Sequence, residues 1–315
     1  MGKMKEVTNM AEIKKKKIIG LSCGRKNGNS EILLKEACMG AEELGVKSEI
    51  IRAMEVRVKP CTGCESCSIA MSRGKEARCA IKDDDVPWIL EKTVVEDCGL
   101  IVSGPVYHLR ANSYFEAIHE RMLPTMFRHP EVLKKTRVGA IISVGGGEPE
   151  WTPLGLTSMN IFVQHTRKLV DQMQVNFVGR PGAVLMEEKY LKRARELGRR
   201  VARAMMVPIE KVKFVGDETE VSCPVCHCNV LKVPEKLPNV FCPVCWVKGV
   251  LYLDGDSMKV KWNEEDVKHP RFSEYGVSTH LELIKSLQMK FYTEDQGKVK
   301  ELIKKYVSYG NIIRP

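Results

Sequence analysis

The sequence lacks an uninterrupted apolar run of about 18 residues, the length a membrane-spanning helix needs, so no span is expected. Its basic run Lys14 to Lys17 is followed only by Ile18 to Leu21 before Ser22, too short for the apolar core of a signal peptide. The expected location is cytoplasmic. Aromatic residues are scarce, 6% of the chain, and no solenoid-type repeat is present, which excludes repeat arrays. Two nucleotide signatures are missing as well: the chain has neither the Gly-Lys-Ser/Thr of a Walker A loop nor a G-x-G-x-x-G. ATP and NAD held by those loops are therefore disfavoured.

Cysteine is what the chain has in excess, with 12 residues. In a reducing compartment disulfides are rare, and tight spacings point to metal or redox sites. Eight of the cysteines form two sets, Cys61/Cys64/Cys67/Cys79 and Cys223/Cys226/Cys242/Cys245. Cys38, at helical spacing with Leu34 and Ala41, reads as a small buried hydrophobe. The formal charge of +10 treats every thiol as neutral. Two centres each held by four thiolates lower it to about +6. Nucleic acid is therefore not an expected partner, and the Lys run reads as a solvated flank.

Along the chain, strands at 17–23, 47–52, 98–103, 137–144 and 174–178 alternate with helices at 29–44, 112–122, 153–173 and 187–206. Five such strands imply a doubly wound parallel sheet covered on both faces. The expected organisation is a basic tail over 1–15, the α/β domain over 16–207 with an inserted Cys-rich loop at 59–83, and a linker over 208–220. A small β domain over 221–262 and a helical tail over 263–315 complete it. The stretch VLYLDGDSMKVKW reads as a hairpin turning near Asp254-Gly255.

The first strand runs into Cys23-Gly24-Arg25-Lys26-Asn27-Gly28-Asn29-Ser30 and then a helix. A polar, Gly-containing loop at a helix N-terminus offers free backbone N–H groups to an anion. Asn29 and Ser30 add side-chain donors and Arg25 adds charge; an ordinary helix cap is the alternative. Strand three ends in Gly104-Pro105-Val106-Tyr107-His108, and strand four in Gly145-Gly146-Gly147. In an open parallel sheet the ligand lies off the carboxyl ends of the strands. Tyr107 beside Pro105 makes a rigid wall for a flat ring, and the three glycines let a ring edge approach backbone N–H groups. A phosphate, a flat ring and a polar ring edge together describe FMN. By the same placement Tyr107 and His108 face the flavin, with His108 as a candidate proton donor. His269 and His280 are either substrate-site residues or ordinary loop and helix-start residues.

The run Arg25-Lys26-Asn27-Gly28-Asn29-Ser30, then Pro105-Val106-Tyr107, then Glu120-Arg121, resembles the flavodoxin-like NAD(P)H:FMN/quinone reductases. With Cys61-x2-Cys64-x2-Cys67 and Asp83-Asp84-Asp85 added, it is most similar to their archaeal-type iron–sulfur flavoprotein branch. The resemblance covers about residues 16 to 207. It implies a flavodoxin-like fold, FMN, and a homo-oligomer (dimer or tetramer) with the cluster near a neighbouring subunit's flavin. The sequence departs from the pattern in having Cys23-Gly24 before the Arg, where Ser-Pro is usual. The eleven residues between Cys67 and Cys79 are also a longer gap.

Three cysteines spaced by two residues can wrap three corners of a cubane, as in ferredoxin runs. The expectation is a [4Fe–4S] cluster on Cys61, Cys64, Cys67 and Cys79, with zinc or free thiols as alternatives. Asp83 to Asp85 are expected to cap the following helix. Cys223-Pro-Val-Cys226 and Cys242-Pro-Val-Cys245, fifteen residues apart, match paired zinc knuckles. The expected metal is a structural Zn²⁺, with rubredoxin-like iron as the alternative. The functional expectation is an FMN-dependent oxidoreductase. Electrons would pass between a donor (ferredoxin or NAD(P)H), the cluster and the flavin to a small acceptor. The alternatives are an electron carrier without its own substrate, or a zinc-ribbon regulator that senses redox state.

Overall fold

The structure, a computed structural model, describes residues 16–236, 238–307, 309, 310 and 313. The basic tail expected over 1–15 lies outside the described residues.

Strand β1 (Lys17–Ser22), helix α1 (Asn29–Glu42) and strand β2 (Lys47–Arg52) open the fold. The Cys-rich segment follows, carrying a short helix α2 (Ser66–Ser72), and then α3 (Val86–Leu90). Next come β3 (Gly99–Tyr107), a two-residue β4 (Arg110–Ala111), α4 (Ser113–His119), α5 (Met122–Arg128) and β5 (Arg137–Val144). Helix α6 (Gly155–Thr166), strand β6 (Arg167–Val175) and helix α7 (Glu188–Ala204) close the α/β unit.

The parallel strands run in the order β2-β1-β3-β5-β6, with β4 turned back antiparallel on β3. This is the flavodoxin-like order, whose switch point lies between β1 and β3. β5 is buried along its whole length, as a central strand covered on both faces must be. One apolar core, including Phe115, Ile118 and Phe162, fills one face. Another, including Leu33, Leu34, Leu197 and Val201, sits under α1 and α7 on the opposite face.

Three elements differ from the sequence expectation. β3 does not stop at Ser103: it pairs with β5 through Gly104 and Pro105 and ends at Tyr107. The helix expected over 112–122 stops at His119, and after Glu120-Arg121 a second helix, α5, runs on from Met122 to Arg128. The long helix expected over 153–173 ends at Thr166, and the last parallel strand starts at Arg167 rather than Gln174. Charged residues hid that strand. Arg167 is fully buried, donating to the Cys98 carbonyl at 3.3 Å. Asp171 is fully buried as well, accepting from Arg193 at 2.8 Å and Arg200 at 3.0 Å, both on α7. Partners that distant in sequence leave no local trace.

The segment over 208–220 lies against the sheet. Val215 N donates to Val170 O at 2.8 Å, and Phe214 stacks on His227 with centroids 3.7 Å apart. Beyond it, β7 (Asn239–Phe241), β8 (Lys248–Asp254) and β9 (Ser257–Trp262) form a small antiparallel sheet, with the last two joined at Gly255-Asp256. Helices α8 (Glu264–Lys268), α9 (Glu274–Thr293) and α10 (Gln296–Val307) follow. α9 packs on α2, with the Arg73 guanidinium 5.5 Å from the centre of the Tyr292 ring. Among the described residues no helix is long and apolar enough to cross a membrane.

Candidate flavin and metal sites

At the carboxyl edge of the sheet the loops after β1, β3, β5 and β6 enclose a cleft of about 240 Å³. Gly24, Arg25, Gly28, Asn29, Ser30, Pro105, Val106, Tyr107, Gly145 and Gly146 all line it, as the sequence places them. Val178, Gly179 and Pro181 line it too. The signal for this last group was the Gly-Arg-Pro-Gly run after β6, hidden by the misplaced strand end.

The loop that opens α1 is made of donors. The first amides of a helix have no intrahelical partner, and here Asn29 and Ser30, the first residues of α1, line the cleft together with Arg25. Arg25 is exposed and pairs with no carboxylate among the described residues. The space is kept by absent side chains: a Cβ on Gly24 would come within 2.2 Å of Ser30 Oγ, and one on Gly145 within 2.1 Å of Thr152 Cγ2. Beneath the loop Glu31 is fully buried and accepts from Arg52 at 2.9 and 3.1 Å and from Lys35 at 2.8 Å. Burial pushes that carboxyl up, but the Arg52 and Lys35 bonds outweigh it and hold it below the usual range.

Three expected contributors have other work. The Asn29 amide donates to the carbonyls of Val178 at 2.6 Å and Arg180 at 2.8 Å, so its side chain ties α1 to the last loop and is not a phosphate donor. Asn27 does not line the cleft; its Oδ1 accepts from Lys35 at 2.8 Å. Cys23 is wholly buried under the loop, and burial pushes its thiol far up. Its carbonyl accepts from Asn112 at 2.6 Å, which fixes the end of β1.

A wider cavity of about 730 Å³ adjoins the cleft, lined by Val106, Tyr107, His108, Leu109, Gly146, Gly147, Glu148, Trp151 and Thr152. Tyr107 and Trp151 are half or more exposed at 53% and 64%, so among the described residues this mouth has aromatic walls left largely open. His108 and Leu109 form the β3–β4 turn with φ of 48° and 75°. Such a turn normally takes Asn-Gly. Two side-chain-bearing residues held there mark backbone strain at the rim of the site.

The Cys-rich loop hangs from a closed neck. Arg57 and Asp85 exchange two bonds, Arg57 N to Asp85 Oδ2 at 2.7 Å and Asp85 N to Arg57 O at 2.8 Å. Lys59 N donates to Asp84 Oδ2 at 3.0 Å, and Lys59 pairs with Asp83. Arg121 pairs with Asp84 and donates to the carbonyls of Lys59 at 3.2 Å and Ile81 at 3.3 Å. The three aspartates were expected to cap α3. Asp85 sits at that cap position but makes no side-chain cap bond, because all three carboxylates are spent on the neck.

Within the loop Cys61 and Cys64 are exposed and Cys67 and Cys79 half-buried. Gly63 N donates to Cys61 Sγ at 3.4 Å, and Cys64 Sγ lies 3.4 Å from Ser66 Oγ. Burial pushes the Cys67 thiol up, and the nearby Cys79 and Cys61 sulfurs push it further. Among the described residues, this set does not gather at the spacing a single ion needs. A cubane holds its thiolates further apart than one ion does, and backbone N–H groups aimed at sulfur suit such a centre.

Cys223, Cys226, Cys242 and Cys245 do gather: their sulfurs lie within 4.8 Å of one another and all are buried. Tetrahedral Zn–S bonds of about 2.3 Å put sulfurs about 3.8 Å apart, so one ion fits. Two knuckle turns hold them, with His227 N on Cys223 O at 2.8 Å and Trp246 N on Cys242 O at 2.9 Å. The knuckles dock on the α/β unit through Asn160, whose Nδ2 donates to Cys226 O at 2.7 Å, and Gln172, whose Nε2 donates to His227 O at 3.2 Å. Lys135, which the sequence did not mark, is pushed down to about 8 by burial, against the upward pull of the Cys245 and Cys226 sulfurs. Its Nζ donates to Gln164 at 3.3 Å. His269 lies tilted against Tyr275 with ring centres 4.9 Å apart, and neither His269 nor His280 lines the cleft or the cavity beside it.

A flavodoxin-like sheet with a donor-lined cleft at its carboxyl edge defines a class, the flavin-dependent oxidoreductases. No family model matches the chain. It is 30% identical over 185 residues to an iron–sulfur flavoprotein of Archaeoglobus fulgidus, a match covering 58% of this chain and 77% of that protein. It is 28% identical over 198 residues to one of Methanocaldococcus jannaschii, covering 60% of this chain and 97% of that one. The chain belongs to the iron–sulfur flavoprotein family. Its fold matches a solved flavone reductase with a TM-score of 0.73 at 22% identity, over 95% of this chain and 100% of that one. That likeness extends the shared fold through the small β domain and the helical tail.

Proposed function

We propose that the cleft holds FMN, that Cys61, Cys64, Cys67 and Cys79 hold a [4Fe–4S] cluster, and that the protein passes electrons between a donor and a small acceptor. The observation that carries this is the cleft itself: Arg25, Ser30 Oγ and the first amides of α1 are all donors, the set a phosphate monoester requires. FMN supplies exchange between one- and two-electron chemistry when bound, and a cluster supplies one-electron exchange.

The chain's own residues do the rest. Arg25 and Ser30 anchor the phosphate. Pro105, Val106 and Tyr107 on one side and Gly145, Gly146 and Gly147 on the other position the ring. Tyr107 and Trp151 give a flat acceptor surfaces to stack on. His108, in the turn at the rim of the cavity, gives a proton to a reduced acceptor in this reading. The neck made by Arg57, Lys59, Asp83–Asp85 and Arg121 fixes the metal loop to the sheet. Cys223, Cys226, Cys242 and Cys245 hold a structural Zn²⁺. Ferredoxin and NAD(P)H are the donors considered. A cytoplasmic location and a homo-oligomer that brings the loop near a neighbour's cleft complete the reading.

The test is anaerobic purification with flavin, iron, sulfide and zinc analysis. About one FMN, four irons and four sulfides per chain are expected. Cys61→Ser should lose the broad visible absorbance and keep the flavin. Full iron in that variant, or FAD in place of FMN, overturns the assignment.

A further inference from the structure

Lys135 is a cation without a carboxylate. It follows the short turn Pro130–Lys134 in the left-handed conformation, with φ 49° and ψ 46°, where glycine or asparagine is the usual residue. A β-carbon there costs backbone energy, yet the residue present has a long charged side chain. That side chain is half-buried and forms no ion pair with an acidic residue among the described residues. Its Nζ donates to Gln164 Oε1 at 3.3 Å, and Gln164 Nε2 donates in turn to Val225 O at 3.4 Å, inside the first knuckle. One turn earlier on α6, Asn160 holds the carbonyl of Cys226. The lysine thus reaches the seam between the α/β unit and the knuckles, and the anionic groups that act on it there are the Cys245 and Cys226 sulfurs. Two neighbouring groups do not duplicate it. Burial holds His165 down to about 3, so it is neutral near pH 7. The Arg271 guanidinium lies 5.1 Å from the centre of the Trp246 ring and donates to Pro243 O at 3.2 Å.

We infer that Lys135 is the counter-charge of the four-cysteine metal centre, supplied across the seam by the α/β unit. The inference rests on the reading of Cys223, Cys226, Cys242 and Cys245 as a metal site, and it adds a positioning residue from a distant part of the chain. Four thiolates around a divalent ion leave a charge of about −2. Burying that charge is costly unless a cation offsets it, and an ammonium beside four neutral thiols would be stranded in the same way. Each charge therefore answers the other. The ammonium has no lone pair and is not a ligand; it acts through its field and through the Gln164 bridge to the knuckle. Retention of the metal then depends on the docking of the small β domain against α6 and the turn before β5.

The experiment is a competition assay in which a chromogenic chelator, at graded concentrations, draws Zn²⁺ from the zinc-loaded full-length protein. Lys135→Gly removes the charge and suits the left-handed backbone, so it does not strain the turn. Its Zn²⁺ affinity should fall about ten- to a hundredfold. Lys135→Gln keeps a long side chain without the charge and should lose as much. Lys135→Arg keeps the charge and should recover most of the affinity. A merely structural role predicts another order, with the glycine variant nearest the wild type and the arginine and glutamine variants alike. Flavin content on the same samples reports that the α/β unit is intact. A wild-type protein that takes up no Zn²⁺ overturns the metal site and this inference with it. Equal affinity in the wild type and the glycine and glutamine variants overturns this inference alone, and so does an arginine variant as weak as the glutamine one.

Discussion

Arg121 and Asp84 form an ion pair sealed in the interior, with side chains 1% and 0% exposed, and the pair closes the neck of an otherwise exposed cysteine loop. Asp84 also takes the Lys59 amide, and Arg121 reaches a carbonyl on each stem of the loop. Two stems of the chain are thus locked at one point, and the cysteine loop is given a fixed origin.

Removing one member of such a pair strands a buried charge, which costs about 3–5 kcal/mol. Arg121→Ala should lower the melting temperature by several degrees and make the loop over 59–83 the first site of proteolysis. Iron content should fall with it. FMN should stay, because none of the cleft residues touches Arg121. Arg121→Lys should recover only part of the effect, since one ammonium cannot serve two carbonyls and a carboxylate. Scanning calorimetry and limited proteolysis read both outcomes; an unchanged cleavage pattern would refute the neck.

Arg25→Ala removes the one charged donor among the described residues that line the cleft. Hydrogen bonds to charged groups contribute about 1.5–3 kcal/mol, so FMN should bind about ten- to a hundredfold more weakly. Fluorescence titration of apoprotein measures it. Asn29→Ala should act differently. It releases the loop over 178–184 from α1, so it should lower stability along with affinity.

His165 lies under Phe272 with ring centres 3.9 Å apart, and its Nδ1 is 2.6 Å from Ile161 O. Burial holds its pKa down to about 3. The unfolded chain, with a histidine near 6.5, binds this proton between about pH 6.5 and pH 3 and the folded chain does not. Stability from this site is therefore complete above about pH 6.5 and drains away as the pH falls, by about 2 kcal/mol at pH 5. His165→Phe should flatten the decline in melting temperature between pH 7 and pH 5. The tail is the part to watch, because Phe272 is what covers the ring.

Much of the α/β unit was legible because β1 and β5 are short apolar runs bounded by turns and β2 follows the Gly45 that stops α1, and the expected and observed limits of all three nearly coincide. β6 was not, since Arg167 and Asp171 are buried charges whose partners, Cys98, Arg193 and Arg200, lie elsewhere in the chain. The same limit shows in the cleft. Arg25, Ser30, Pro105 and Gly145 could be placed by strand ends alone. The tasks of Asn29 and Asp83–Asp85 depend on what lies across from them, and a capping signal in sequence looks the same as a clasp.

The small β domain gives the sharpest test of where the redox path ends. Its sheet has only three strands, too few to bury a self-sufficient core, so a bound metal must supply much of its folding free energy, of order 10 kcal/mol in small zinc domains. Cys242→Ser should open this domain. The segment over 208–220, expected as a linker, is not a free point of cleavage: Val215 is bonded to Val170 and its carbonyl accepts from Arg200 at 2.7 Å. Cleavage should instead begin among the knuckle residues themselves and spread toward Phe272. Asn160 and Gln172 would lose their carbonyl partners on Cys226 and His227, which should lower the melting temperature of the α/β unit modestly. FMN and iron should remain, because the residues lining the cleft and those of the cysteine loop all precede Gly182 in the chain, well before the small β domain begins. Reduction of the flavin by a small artificial donor should then proceed at the wild-type rate, since zinc has no accessible redox change. Abolished reduction with both cofactors in place would put the four buried thiolates in the electron path and replace zinc with iron.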